Sequence, residues 1–298
     1  MSRIAYYVLL KPLSLLPLSV LYYLSDFLFW VVYRVVGYRK KVVFTNLRHS
    51  FPGKGEAAIE AIAERFYRHF CDLIVESIRL FSMPEAEARA RMQVANPELL
   101  QRFYDAGRSV LIGAGHYANW ELVATIVDRQ VAHQCVGIYA PLANAFFNRA
   151  IFQSRRRFGL ELLPRREVKA WFRDNQDRRT AVLFATDQSP SNPKNAYWTR
   201  FLNQETGVLF GIEHYAVKYD LPVVFGHITR LRRGYYTFHF EVVEEHPKEA
   251  PYGAITERHI RLLEKDILAE PAYWLWTHRR WKHERPADVE VAGKDETP

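Results

Sequence analysis

The sequence predicts an α/β fold, a mixed β-sheet flanked by helices, behind an apolar N-terminal helical segment. Three observations carry this reading. Beyond Pro97, short β-rich runs alternate with helical patterns. A turn at Gly234-Tyr235 leads into the alternating run Tyr236 to Val242, which suits a hairpin partner and makes the sheet mixed rather than purely parallel. The first 36 residues are mostly Leu, Val, Tyr and Phe.

Taken in order, the apolar stretch from Ile4 to Val36 is interrupted by Lys11, Asp26 and Arg34, and its longest uncharged run, Pro12 to Ser25, has 14 residues. That is short of the roughly 18 to 20 needed to cross a bilayer as a helix. No small-residue cleavage site follows, so the segment is expected to stay on the protein. Arg39-Lys40-Lys41 comes next, a cluster suited to anionic headgroups on the cytoplasmic side of a membrane. Residues 1–36 therefore read as an interfacial or marginally spanning anchor. The other reading is a helix pair buried against the domain.

Glu56 to Phe81 forms an amphipathic helix, with Ile59, Ile62, Ala63, Phe66, Phe70, Leu73, Ile74 and Ile78 at three- and four-residue steps, stopped by Met83-Pro84. Strands follow at Ser109 to Gly113, Gln134 to Tyr139, Thr180 to Ala185 and Pro222 to Thr229. Helices are expected at Asn119 to Arg129, Asn144 to Phe158, Arg166 to Asn175, Thr206 to Tyr219 and Gly253 to Leu268. One domain thus spans 37–282, and the polar residues 283–298 read as a disordered tail.

The 298 residues are 49% hydrophobic and 25% charged, the composition of a folded, water-soluble bulk. Two cysteines, Cys71 and Cys135, supply neither a disulfide framework nor a cysteine-rich metal site. A formal charge of +8 favours polyanionic partners: phosphates, anionic lipid, an acidic carrier or nucleic acid.

Chemistry concentrates at Val110 to Glu121. A strand runs into a glycine-loosened turn that presents His116, and a helix opens within three residues with Glu121 in its first turn. His116 must precede the helix, where it can fold back onto Glu121. A carboxylate on one imidazole nitrogen fixes the tautomer and leaves the other as a general base. The pair carries no nucleophile of its own, which suits deprotonation of an acceptor hydroxyl or amine that attacks an acyl thioester. Two other readings share these residues: Gly113 to Ala118 satisfies the dinucleotide pattern G-x-G-x-x-A, as in a nicotinamide-dependent oxidoreductase, and His116 can be a structural histidine tied to Glu121. Against the first, the strand ending at Tyr139 carries no acid for a ribose.

Five blocks in order resemble the lysophospholipid acyltransferase superfamily, in its bacterial branch of late lipid A and phosphatidylinositol mannoside acyltransferases. They are Tyr38 to Arg48 leading to Ser50-Phe51-Pro52, the H-x4-E motif His116 to Glu121, Gln153 to Gly159, Phe184 to Gln188, and Trp274 to Lys282. The resemblance implies His116 as base with Glu121 orienting it. It also implies Arg157 and Arg165 near acceptor or carrier phosphates, and Asp187 and Gln188 as the loop after the strand. The donor it implies is an acyl thioester on acyl carrier protein or coenzyme A, the acceptor a lipid, and the place the cytoplasmic face of the bacterial inner membrane.

Consecutive arginines point three ways, so at most two of Arg155, Arg156 and Arg157 can face a site. Trp274 to Lys282 reads as an interfacial belt or as a packed C-terminal helix. Glu213-His214 departs from the branch's apolar pattern, and adjacency on a helix makes it a buried hydrogen bond or a surface pair rather than a second dyad. No G-x-S-x-G, H-E-x-x-H, P-loop or zinc-finger spacing occurs, so no cofactor or metal is implied. A non-catalytic protein binding anionic membranes or nucleic acid is the remaining class; the arginine clusters lack the aromatic interleaving that nucleic-acid recognition uses.

Overall fold

The structure, a computed structural model, describes residues 2–287. The chain opens with helical turns α1 (Ser2–Ile4) and α2 (Lys11–Leu15), joined through Ala5–Leu10. Next come α3 (Leu18–Phe29), which continues helically to Val36, α4 (Lys40–Ser50) and the long α5 (Glu56–Leu80). Then follow α6 (Glu85–Arg91), β1 (Met92–Val94), α7 (Pro97–Asp105), β2 (Val110–Ala114), α8 (Trp120–Ile126), β3 (Gln134–Tyr139), α9 (Ala145–Arg156), β4 (Glu161–Pro164), α10 (Val168–Asp174) and β5 (Thr180–Ala185). The remainder is a hairpin β6 (Tyr197–Phe201) and β7 (Gln204–Val208), α11 (Gly211–Tyr219), β8 (Val223–Arg232), β9 (Tyr235–Glu244) and α12 (Ala254–Ala269).

Seven strands form one sheet in the order β1-β9-β8-β2-β5-β3-β4. β8, β2, β5, β3 and β4 run parallel, and β9 returns antiparallel to β8, so the sheet is mixed as the Gly234 turn predicts. Its central strands are continuous apolar runs, Val110 to Ile112 and Ala181 to Val182 being fully buried, because helices cover both faces.

The hairpin is a correction to the sequence reading. Thr206 to Val208 was expected to begin a helix but pairs with Tyr197 to Thr199. The chain reverses at Leu202-Asn203, both left-handed with φ of 49° and 64°, the two-residue turn that matches strand twist. Leu at the first turn position hides it from a residue-type search.

The N-terminal helices pack on α5. Leu18, Leu21, Phe29 and Tyr33 belong to the same continuous core as the sheet. Polar contacts pin them further: Ser25 Oγ donates to Asp72 at 2.8 Å, and the Arg233 guanidinium bridges Asp72 and Asp26 at 2.6 and 2.7 Å. The opposite face is bare, with Val20, Tyr23, Phe27, Trp30, Val35 and Val36 exposed. Among the described residues, Leu18–Val36 is the one helix long and apolar enough by length and composition to cross a membrane.

Trp274 to Lys282 is neither belt nor helix. Trp274 and Trp276 are buried at 2% and 0% exposure, and Asn46 Nδ2 donates to the Trp276 and His278 carbonyls at 2.9 and 3.0 Å, so the Tyr38–Arg48 block clamps this C-terminal segment. At the start of the expected tail, His283 contacts the Pro190 carbonyl and Arg285 the Glu205 carboxylate; 288–298 lies outside the described residues.

Candidate active site

β2 and β5 are parallel neighbours with Ala114 opposite Ala185, so the loops leaving their C-terminal ends run side by side. In open α/β sheets this edge is where ligands collect. Thr186 N–H donates to Ala114 O at 3.2 Å and extends the register by one residue, which brings His116 beside Asp187.

The contact is double. Asp187 Oδ1 lies 2.7 Å from His116 Nδ1, and Oδ2 accepts from the His116 backbone N–H at 2.8 Å and from Trp274 Nε1–H at 2.9 Å. Burial pushes the Asp187 carboxyl up, but the His116 charge and these hydrogen bonds outweigh it and pull the pKa down to about 2. An ionised Asp187 makes Nδ1 the protonated nitrogen and Nε2 the basic one. Burial lowers the His116 pKa, yet the Asp187 charge and hydrogen bond win, with Glu121 adding, and it stands above its ordinary value. Gln188 Nε2 lies 3.2 Å from His116 Nε2, so its amide donates to the basic lone pair. His278 Nε2 accepts from Ser189 N–H at 3.0 Å and holds the loop beyond it.

Glu121 stands in the first turn of α8, with His116 ahead of the helix, as the spacing predicts. Its carboxylate is not on the imidazole, however. It takes a bidentate pair from Arg155 at 2.6 and 2.9 Å and a bond from Trp120 Nε1 at 3.2 Å. The physical reason is that this face of α8 packs on α9, where Arg155 sits, while the strand register has already filled the Nδ1 side of His116 with Asp187.

Of the consecutive arginines, Arg157 donates to the Leu80 carbonyl at 2.9 Å and does not line the cavity. Arg155 does, as the last member of a helical stripe Asn148, Ile151, Phe152, Arg155 that lines the cavity. That spacing was available in the sequence. Arg165 lines the same cavity and approaches Ser191 Oγ at 3.4 Å. Glu213 is buried and accepts the Gly253 and Thr256 N–H groups, capping α12, while His214 is exposed.

The cavity has a volume of about 660 Å³, within the usual range for small-molecule sites. Its polar members include His116, Glu121, Asn148, Arg155, Arg165 and Gln188. The rest is largely apolar: Val123, Ala124, Ile138, Leu160, Leu162, Leu183, Ile212 and Tyr215. His116 thus opens on a greasy pocket. The glycines that mimic a dinucleotide fingerprint have a packing cause: a Cβ on Gly115 would lie 2.6 Å from Leu263 Cδ1 of α12. Among the described residues, no group of three or more His, Cys, Asp and Glu is placed to hold a metal ion.

Comparison with known proteins identifies the family. Residues 2–283 match the family model described as bacterial lipid A biosynthesis acyltransferase. The chain is 21% identical over 248 residues to the lipid A biosynthesis palmitoleoyltransferase of Escherichia coli (strain K12), covering 82% of this chain and 79% of that protein. It is 22% identical over 277 residues to the lipid A biosynthesis acyltransferase of Haemophilus influenzae (strain ATCC 51907 / DSM 11121 / KW20 / Rd), covering 91% and 87%. With a match of that extent, the chain belongs to the bacterial lipid A biosynthesis acyltransferase family and is an acyltransferase.

Proposed function

We propose that this enzyme moves a fatty acyl chain from an acyl thioester to a hydroxyl of a lipid A precursor or a closely related bacterial glycolipid, with His116 as general base. The single observation that carries this reading is the Asp187-bound His116 that lines a largely apolar cavity. The cavity accommodates the acyl chain with the thioester carbonyl at the His116 end.

The acceptor oxygen attacks the thioester carbon while Nε2 takes its proton. The tetrahedral intermediate expels the thiolate, and the imidazolium returns the proton to that sulfur. Nδ1 keeps its proton throughout, donated to the ionised Asp187, which stabilises the imidazolium. The Gln188 amide is the donor nearest the reacting atoms; as substrate displaces it from Nε2, it turns to the developing oxyanion. The donor is the thioester of an acidic carrier protein or of coenzyme A, supported by the exposed Arg165, Arg166 and Lys169 at and next to the cavity lining.

The enzyme works at the cytoplasmic face of the inner membrane, lying on the bilayer by its N-terminal helices rather than spanning it. The inward face of α3 is committed to Asp72 and Arg233, contacts a spanning helix would have to surrender.

Lipid mass spectrometry on a Gram-negative host expressing wild type or His116→Ala tests the reading. A mass gain of one acyl chain with wild type alone is expected. Equal gain with His116→Ala would remove the base.

A further inference from the structure

Glu76, four residues before the C-terminal end of α5, is 2% exposed. Its hydrogen bonds come from three neutral donors on three separate elements. Tyr22 Oη of α3 donates at 2.8 Å to Oε1, while Asn119 Nδ2 at 2.5 Å and Tyr236 Oη of β9 at 2.9 Å donate to Oε2. Asn119 is the N-cap of α8. Its Oδ1 accepts the Leu122 N–H at 2.9 Å, which fixes the amide so that Nδ2 must face Glu76.

The turn this cap closes is strained. Ala118, between His116 and Asn119, is buried with φ at +46°, a left-handed conformation that side-chain-bearing residues rarely adopt. Such a residue persists where its neighbours over-determine it. Ala118 N–H is held by the Tyr273 carbonyl at 2.9 Å, and Tyr117 bridges to Trp274. Tyr117 Oη donates to the Asp266 and Glu270 carbonyls at 3.1 and 3.0 Å, and the Glu76–Asn119 bond holds the turn from its α5 side. A buried carboxyl among neutral donors does little for stability that a well-packed apolar residue would not. Stability alone leaves its presence unexplained; positioning explains it.

We propose that Glu76 is a positioning residue that clamps the N-cap of the catalytic turn, and that Tyr22 makes the N-terminal helix part of this clamp. The helix whose outward face is apolar is then also a member of the active-site scaffold. The kinetic consequence rests on the acyl-transfer reading above; the clamp itself rests on geometry alone.

The test uses the full-length enzyme in non-ionic detergent with a detergent-dispersed lipid A precursor, so that loss of bilayer anchoring cannot explain loss of turnover. Tyr22→Phe, Glu76→Gln and Glu76→Leu are compared with wild type by kcat, KM, thermal midpoint and amide hydrogen exchange over residues 117–123. Glu76→Leu is expected to speed exchange in that segment and lower kcat roughly 30- to 100-fold, with KM within about threefold. Glu76→Gln keeps one oxygen for Asn119, and the Tyr22 hydroxyl can accept from the new amide, so kcat returns to within about threefold of wild type. Tyr22→Phe removes one oxygen and falls between them.

Unchanged exchange over 117–123 in both Tyr22→Phe and Glu76→Leu overturns the clamp. So does exchange that rises uniformly along the chain together with a lowered midpoint, since that marks a merely structural role. Should Glu76→Leu not fold, Tyr22→Phe and Glu76→Gln decide. A wild type that folds but transfers no acyl chain sinks the acyl-transfer reading instead, and the exchange comparison still decides the clamp.

Discussion

His116 and Asp187 are each the second residue beyond a paired strand end, Ala114 on β2 and Ala185 on β5, and the parallel register alone sets their side chains 2.7 Å apart. The dyad is therefore a property of the sheet. Two strands that must pair to bury their apolar faces deliver an imidazole and a carboxylate to one point on the C-terminal edge.

Asp187→Asn is expected to act on both the pH profile and the rate. In wild type, Asp187 holds the His116 pKa above its ordinary value of 6.5, and in the proposed mechanism the neutral imidazole is the active form. The acid limb of kcat/KM should thus lie above pH 6.5, with activity rising as pH increases through it. Removing the carboxylate charge lowers the His116 pKa and moves the limb to lower pH. The plateau should fall roughly 10²- to 10⁴-fold, because asparagine can present its NH₂ to Nδ1 and favour the wrong tautomer. A variant with an unshifted limb and a near-normal plateau would show that Asp187 does not serve the base.

Arg155 and Glu121 form a half-buried bidentate pair at the cavity, with side chains 25% and 23% exposed. Removing either partner leaves the other's charge partly desolvated, so each single alanine variant should lose about 1–3 kcal/mol of transition-state binding, roughly 5- to 150-fold in kcat/KM. The double variant should lose hardly more than the worse single one, since the second change removes the stranded charge. Strict additivity in this cycle would mean that the two residues act independently.

Local patterns made much of the scaffold legible. Gln134 to Tyr139 and Thr180 to Ala185 are strands with the ends their β-rich composition indicates, and Glu56 to Phe81 is a helix to within one residue. Whether a carboxylate touches His116 is another kind of question. Glu121 is five residues away in the chain and Asp187 is 71, yet Asp187 makes the contact, because strand order is decided by long-range pairing that no local pattern encodes. Arg155 was nearer to view: the stripe from Asn148 pointed to it, whereas the arginine triplet as a block did not separate its three members. The β6–β7 hairpin stayed hidden because its left-handed turn uses Leu202 and Asn203 in place of a glycine.

Ala124 lines the apolar part of the cavity from α8, so Ala124→Leu inserts three carbons where the proposed binding mode puts the acyl chain. A buried methylene contributes about 0.8 kcal/mol, roughly fourfold in binding per carbon. The variant should therefore shift the preferred donor to a chain two or more carbons shorter, with kcat on that shorter donor close to wild type. Competition between donors of different length, read by product mass, measures this. An unaltered preference would place the acyl chain elsewhere.

The outward face of α3 and its continuation carries Val20, Tyr23, Phe27 and Trp30, while Tyr22 and Ser25 contact α5 and Asp26 pairs with Arg233 between β8 and β9. An amphipathic helix with one face committed to protein binds a membrane by laying the other face in the headgroup boundary. Burying a Phe side chain contributes about 1.5–3 kcal/mol, so Phe27→Ser should weaken partitioning onto anionic vesicles roughly 10- to 100-fold while leaving the core contacts intact. Topology separates lying from spanning. Leu18–Val36 is about 28 Å long at 1.5 Å per residue, so a spanning helix would put its two ends on opposite sides of the bilayer. Cysteines introduced singly at Ser19 and Tyr38, against a background in which Cys71 and Cys135 are buried, should both react with an impermeant thiol reagent added to the enzyme-bearing side of reconstituted vesicles. Protection of Ser19→Cys alone, relieved by permeabilising the vesicles, would mean that the helix spans and that its contacts with Asp72 and Arg233 are given up in the membrane.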